Sequence, residues 1–226
     1  MRFFDDINKF NLNNELILGV DETGVGDYFT PIIACSCIVK DKQLLNDLDI
    51  KDSKKLSDKQ ILKIAPIIMK KVDYSVYKLT QEGYNKLTSK YNANEIKFFI
   101  HQHSINNLLN KINYLPSLIL IDKYSTTNSI LKYYDKLLFQ NNWSNLKDFD
   151  INTLLLNKAE DIDISVACAS IIARYFLLKH MEEQNKEWKF DFLFGASTKV
   201  KDQITEFSNL YGENNLIKVL KLNFKR

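Results

Sequence analysis

The chain has 226 residues, of which 45% are hydrophobic and 26% charged, and its formal net charge is +3. That length buries a full core, and the composition is that of an ordinary globular protein, somewhat rich in Lys and Asn and poor in Gly and Pro. The charge is too small to single out a partner. Apolar runs such as "LILI" at 118–121 are far too short to span a bilayer, and the opening "MRFFDDINKF" lacks the apolar core of a signal peptide.

The first patterned stretch, 16–22, is apolar and strand-like, and it ends on two adjacent carboxylates, Asp21 and Glu22. Neighbours in a strand point to opposite faces, so the two acids can share one site only if the backbone turns there. Gly24 and Gly26 permit a turn. A second strand covers 31–39, with Pro31 tolerated at its first residue. A polar connection follows, then a helix from about Asp58 with Ser57 as its cap. The β-branched and aromatic stretch 72–79 predicts a third strand, and the spacing of apolar residues over 94–112 predicts a helix. A short buried strand ends at Asp122, a helix spans 127–139, and a fifth strand spans 149–156. A long helix runs from about Glu160 to Trp188, with small residues in "SVACASIIA" that let it lie close on a sheet. One or two helices follow from Thr198. Strands first in sequence and then alternating with helices predict an α/β layer fold with a mixed sheet. No repeat or flexible linker divides the chain. Cys35, Cys37 and Cys168 lack metal-site spacing; Cys35 and Cys37 read as small buried hydrophobes on one face of a strand, and a reducing, cytoplasmic setting fits.

Ligands of open α/β sheets gather at the carboxyl ends of the strands, where Asp21, Glu22 and Asp122 all fall. Carboxylates crowded in a partly buried pocket need a compensating charge, and hard oxygen ligands suit Mg²⁺ or Mn²⁺. No P-loop, G-x-S-x-G elbow or HExxH helix is present. Two-metal phosphodiester hydrolysis needs little beyond the acids. Alone, Asp122 reads better as a turn or cap residue, and the pair Asp21–Glu22 divides evenly between turn chemistry and metal binding.

Longer motifs are more specific. "GVDETGVGDYFTP" at 19–31 closely resembles the first signature of the type 2 ribonucleases H, in the form carried by ribonuclease HIII. In the same order follow "DSKKLSD" (52–58), "NANEIKFFIHQHSINNLL" (92–109), "LILIDKYS" (118–125), "NKAEDIDISVACASIIAR" (157–174), "FGASTKVKDQI" (194–204) and the ending "YGENNLIKVLKLNFK" (211–225). The resemblance implies a ribonuclease H-like fold: a central mixed five-stranded sheet flanked by helices, with additional C-terminal helices. It implies one catalytic domain over 1–226, with a short extension at 1–15 and a helical part from about 190. The implied activity is metal-dependent endonucleolytic cleavage of the RNA strand of RNA–DNA hybrids, leaving 5′-phosphate and 3′-hydroxyl ends.

Residue by residue, the resemblance places the catalytic and metal-binding acids on Asp21, Glu22, Asp122 and Glu160, with Mg²⁺ or Mn²⁺ as cofactor. Asp161 and Asp163 compete with Glu160, and a solvated helix start is their plainer reading. Glu160 and "GDYF" favour the HIII type over the HII type. Backbone groups of Gly24, Val25 and Gly26 would approach the ribose, whose 2′-hydroxyl distinguishes RNA from DNA. Ser53, Lys54 and Lys55 would line the groove, the lysines answering phosphate. Ser197 and Lys199 have a weaker claim of the same kind, and Tyr28 has an aromatic one. The expected partner is hybrid nucleic acid, with no membrane, and the protein is expected to be a monomer.

Four positions depart from the family pattern: Val25, Thr30, Lys201 and Asn223. The resemblance also predicts that the N-terminal platform domain usual in ribonuclease HIII, like the TATA-binding protein fold, is missing, so that substrate is held more weakly or differently. Two other functions stay open: incision at single ribonucleotides in DNA, as for ribonuclease HII, and hybrid binding with little turnover. His101 and His103 read as core-edge histidines facing different sides of a helix, and Trp143 and Trp188 as structural.

Overall fold

The computed structural model describes residues 1–48, 50 and 53–224; Asp52 and Lys225, each in a family-like motif, lie outside the described residues. The sheet holds β1 (Arg2–Phe4), β2 (Ile17–Thr23), β3 (Ile32–Ile38), β4 (Asp73–Leu79), β5 (Leu118–Asp122) and β6 (Asn152–Leu156). Their spatial order is β1-β6-β5-β2-β3-β4. β1, β6, β5 and β2 run parallel, whereas β2–β3 and β3–β4 are antiparallel. The sheet is therefore mixed, as expected, but six-stranded rather than five-stranded. The added strand is a three-residue edge of β6, too short to show an alternating pattern in sequence.

Seven helices are described: α1 (Asp58–Met69), α2 (Gln81–Leu87), α3 (Ala93–Leu109), α4 (Thr127–Asp135), α5 (Ile164–Trp188), α6 (Thr198–Tyr211) and α7 (Leu216–Val219). Ser57 caps α1 as expected, with Gln60 completing a reciprocal capping box, and Asn92 with Glu95 does the same for α3. α2 was not anticipated, because it is short and polar. A π-helical segment, Lys136–Gln140, continues α4.

The strands sort the core into two layers. Ile32 and Ala34 of β3 face α3, together with Ile96 and Ile100; Ile33, Cys35 and Cys37 face α5 and α1, together with Cys168, Ile172 and Ile61. The three cysteines are free and buried. A separate cluster of Phe29, Phe190, Phe192 and Phe207 joins the turn after β2 to α6 and α7. Among the described residues α5 is long and apolar enough by length and composition to cross a membrane, which the short uninterrupted apolar runs of the sequence did not reveal, but most of its apolar stretch is buried inside the protein.

One glycine sets how close α5 comes. A Cβ on Gly19 would lie 2.3 Å from the backbone nitrogen of Val166 and 2.4 Å from the carbonyl carbon of Ser165. The first turn of α5 therefore rests directly on β2, two residues before Asp21.

Candidate active site

Asp21 and Glu22 do not flank a turn. β2 continues to Thr23, so the two side chains leave opposite faces of the sheet. Asp21 pairs with Cys35 of the α5 layer and Glu22 with Ala34 of the α3 layer. The chain reverses only afterwards, where Gly24 adopts φ 84°.

On the α5 face, the β2–β5 ladder ends with Val20 beside Ile121, which puts Asp21 next to Asp122 at the same face and end of the sheet. Parallel neighbours in such a ladder lie about 4.8 Å apart. Two like charges so close are unfavourable unless something positive lies between them. Asp21 is 7% exposed, and its Oδ1 accepts the Glu22 backbone N–H at 2.8 Å. Burial, with the charge of Glu22 added, pushes its carboxyl up to about 8, against the pull of a hydrogen bond from Ser170 on α5 and of the Lys54 charge.

Asp122 reaches the next acid through the backbone. Its Oδ1 accepts the N–H of Ala159 at 3.3 Å. After β6, Lys158 takes the left-handed conformation (φ 55°), and a tight 3-10 turn over Ala159–Asp161 follows. A non-glycine residue there costs roughly 1 kcal/mol or more. The turn delivers Glu160, whose side chain is 8% exposed, with an oxygen 3.9 Å from the Lys54 ammonium. The competing acids are otherwise employed. Asp161 is half exposed and pairs with Lys55 at 2.5 Å, while Asp163 caps α5 through the Ser165 N–H and pairs with Lys42 at 3.0 Å. Ser53 shares a 2.7 Å hydrogen bond with Ser170. The 53–55 turn thus leans over the acids, and Lys54 acts on both Asp21 and Glu160.

On the α3 face, Glu22 meets His101 Nε2 at 2.8 Å and Lys97 Nζ at 3.0 Å. Burial alone would raise its carboxyl, but these two partners outweigh burial and bring it down to about 2. The Lys97 ammonium lies over the ring of Tyr124, and His101 stands edge-on to it. His101 is 2% exposed, so its plain core-edge reading missed its contact with an acid of the site. Lys97 and His101 are four residues apart and share one helix face, and that spacing was the available signal. His103 faces elsewhere, stacked on Tyr77 at 4.4 Å.

The remaining candidates scatter around this centre. Gly24 is buried, and its carbonyl accepts from Thr30 Oγ1 and Lys221 Nζ, so it is engaged by protein rather than open to a ligand. Val25 packs at the edge of the α3 layer, and Gly26 is exposed with open space where a Cβ would stand. Tyr28 packs edge-on against Phe224 at 4.9 Å. Ser197 stands at the N-cap of α6 with no capping bond of its own, and Lys199 is exposed on the same helix. Trp143 stacks on Phe99 and donates to the Tyr91 hydroxyl, and Trp188 packs against Phe207; both are structural.

Among the described residues, no three His, Cys, Asp or Glu side chains close into a metal-binding set. Each acid is instead turned to a protein donor. The donor chemistry nonetheless fits a hard divalent cation. Asp21, Asp122 and Glu160 offer only carboxylate oxygens, Asp21 is buried beside a second acid, and a lysine supplies positive charge between them.

Comparison with known proteins gives one answer. The family model "Ribonuclease HII" matches residues 18–226. Ribonuclease HIII of Phytoplasma mali (strain AT) is 39% identical over 211 residues, covering 92% of this chain and 70% of that protein. Ribonuclease HIII of Bacillus velezensis is 36% identical over 215 residues, covering 92% and 65%. The crystal structure of Bst-RNase HIII in complex with Mn²⁺ superposes with a TM-score of 0.84 at 31% identity, covering 92% of this chain and 66% of that one. The chain thus spans about two thirds of the length of these relatives. Sequence and backbone agree that it belongs to the ribonuclease HII family, on the ribonuclease HIII side.

Proposed function

We propose that this protein is an endoribonuclease that hydrolyses the RNA strand of RNA–DNA hybrids with Mg²⁺ or Mn²⁺, leaving 5′-phosphate and 3′-hydroxyl ends. The observation that carries this reading is the side-by-side placement of Asp21 and Asp122 at the carboxyl ends of β2 and β5, with Glu160 brought alongside by the Ala159–Asp122 hydrogen bond. A relative of the same fold crystallised with Mn²⁺ supports it.

In this reading Asp21, Asp122 and Glu160 hold the metal ions from the α5 face. Glu22, whose charge already acts on Asp21 across the end of the strand, completes the set from the other side. The ions when bound would lower the pKa of an attacking water and stabilise the leaving oxygen. Lys54 offsets the acids in the absence of other cations. Once their charge is met otherwise, it turns to backbone phosphate, as Lys55 does by exchanging Asp161 for phosphate, and exposed Lys199 serves the same role. The turn that Gly24 starts meets the ribose through Val25 and Gly26, with Tyr28, Ser53 and Ser197 at the margins of the groove. His101 and Lys97 fix the direction of Glu22 and are positioning residues. The buried free thiols suit a reducing cytoplasmic setting.

Labelled RNA–DNA hybrid, double-stranded RNA, DNA and a DNA duplex with one embedded ribonucleotide are incubated in turn with Mg²⁺ or Mn²⁺. Cleavage of the hybrid is expected, with little at the single ribonucleotide. Absence of hybrid cutting in both metals would end the proposal, and dominant cutting at the single ribonucleotide would move the chain to HII-like specificity.

A further inference from the structure

Lys221 is fully buried, yet it lies in a segment with no acid of the site. Its Nζ donates to the carbonyl oxygen of Gly24, 197 residues earlier in the chain. The rings of Tyr84 and Phe224 stand 5.7 Å from the same nitrogen, so the amine is held by a carbonyl and two aromatic faces. Burial pulls its pKa down to about 7, against the attraction of Asp27. Burying an amine this way costs stability, and an apolar side chain of similar length would fill the space at lower cost. The sequence keeps the costly residue.

The contacts around it all end on one feature. Thr30 Oγ1 lies 3.2 Å from both the Gly24 carbonyl and Asp27 Oδ2, and the Gly195 N–H donates to Asp27 Oδ1 at 2.6 Å. The Tyr28 N–H donates to the Gly195 carbonyl at 3.0 Å, and the Lys221 N–H to the Tyr28 carbonyl at 2.9 Å. The turn over 24–28 is therefore clamped between the loop before α6 and the segment after α7. That segment is itself tied to α2: Asn85 donates to the Leu220 carbonyl and accepts from the Leu222 N–H, both at 2.8 Å. A Cβ on Gly24 would lie 2.1 Å from the Pro31 carbonyl oxygen, so the turn has one available path, and Lys221 caps the carbonyl at its start.

We infer that Lys221 is a positioning residue for hybrid recognition, holding the Gly24 turn in the shape that meets the ribose. This rests on the function proposed above. A residue that sets the shape of a recognition turn acts on substrate binding rather than on the acids.

Lys221→Met keeps length and apolar packing and removes the donor. With RNA–DNA hybrid and Mn²⁺, its KM rises about tenfold while kcat stays within about twofold, the split expected for lost binding. Its melting temperature is equal to or above the parent's. Lys221→Gln, which keeps an N–H donor, recovers part of the loss and carries the test if Lys221→Met does not fold. Thr30→Val, which takes the other donor from the same carbonyl, raises KM in the same direction. Amide hydrogen exchange at Val25, Gly26 and Asp27 quickens in Lys221→Met, and β5 is unaffected. A parent that cuts hybrid, with unchanged KM in Lys221→Met, overturns the inference and leaves the proposed function standing. A parent that cuts nothing overturns the function, and the exchange rates then decide alone: unchanged protection of 25–27 refutes the positioning role.

Discussion

His101 Nε2 and Glu22 Oε2 meet at 2.8 Å beneath the end of β2, joining a buried helix residue to an acid that the strand turns away from its neighbour Asp21. A histidine donating to a carboxylate fixes that carboxylate's direction, and loss of such a partner typically costs 10- to 100-fold in metal affinity or activity. His101→Phe retains the edge contact with Tyr124 and loses the donor. Its activity falls by about 10- to 100-fold, and the Mn²⁺ concentration needed for half-maximal rate rises. Because the substitution also takes a donor from the buried Glu22 carboxylate, thermal stability falls too, and the shifted metal dependence of the folded variant is the readout that a merely structural role would not move. A variant with parental metal dependence would remove His101 from the site.

Asp21→Asn loses hybrid cleavage by about a hundred- to a thousandfold, the scale of removing one group that stabilises developing charge. The same variant reports on electrostatics in the metal-free protein. The folded carboxyl lies at about 8 and the unfolded one near 3.8, so the folded state binds more protons between those limits. Stability in EDTA therefore falls as pH rises from about 4 to about 8 and levels off above. Asp21→Asn lacks this decline, so at pH 8 it melts higher than the parent, and the gap closes towards pH 4. Parallel pH profiles for the two proteins would show that Asp21 carries no such penalty.

Gly19→Ala places a methyl group 2.3 Å from the Val166 backbone nitrogen, where no flexible side chain can yield. α5 must move off β2, at a cost of about 3 kcal/mol, the upper range for overpacking. Ser170, which bonds Asp21, rides on that helix, so activity falls further than unfolding accounts for. Chemical denaturation and activity at a temperature where the variant is folded check the two effects separately. A variant as stable as its parent would mean that the helix can shift without cost.

His103 is driven down to about 4 by burial, and its Nε2 has no hydrogen-bond partner. The folded state keeps this ring neutral while the unfolded chain protonates near 6.5, so stability is full above 6.5 and is lost as pH falls towards 4. His103→Phe, which preserves the stacking on Tyr77, flattens the profile over that window. Urea midpoints measured from pH 7 to 4 check it. An unchanged slope in the variant would place the acid sensitivity elsewhere.

The parts legible in sequence were those governed by local pattern. Strand and helix periodicity located β2 to β6 and the long α5, and the Ser57 cap marked the start of α1. β1 escaped because three residues carry no period, and α2 because its stability comes from packing on the C-terminal segment. The acids at strand ends followed from the rule for open sheets, whereas their division between two faces followed from β2 running on to Thr23. His101 was misplaced because its significance depends on which strand lies beneath α3. Lys221 was invisible for a stronger reason: a lysine in an amphipathic tail reads as solvated, and only the tertiary structure buries it.

The hydrogen bond from Lys221 to Gly24 spans 197 residues, nearly the whole described chain. A polypeptide made from its amino end would present Asp21, Glu22 and the glycine bend early, with the amine that steadies the bend still to be synthesised. On the inference drawn for Lys221, the grip on substrate would then be the last property to mature, completed only when the C-terminal segment packs against the bend.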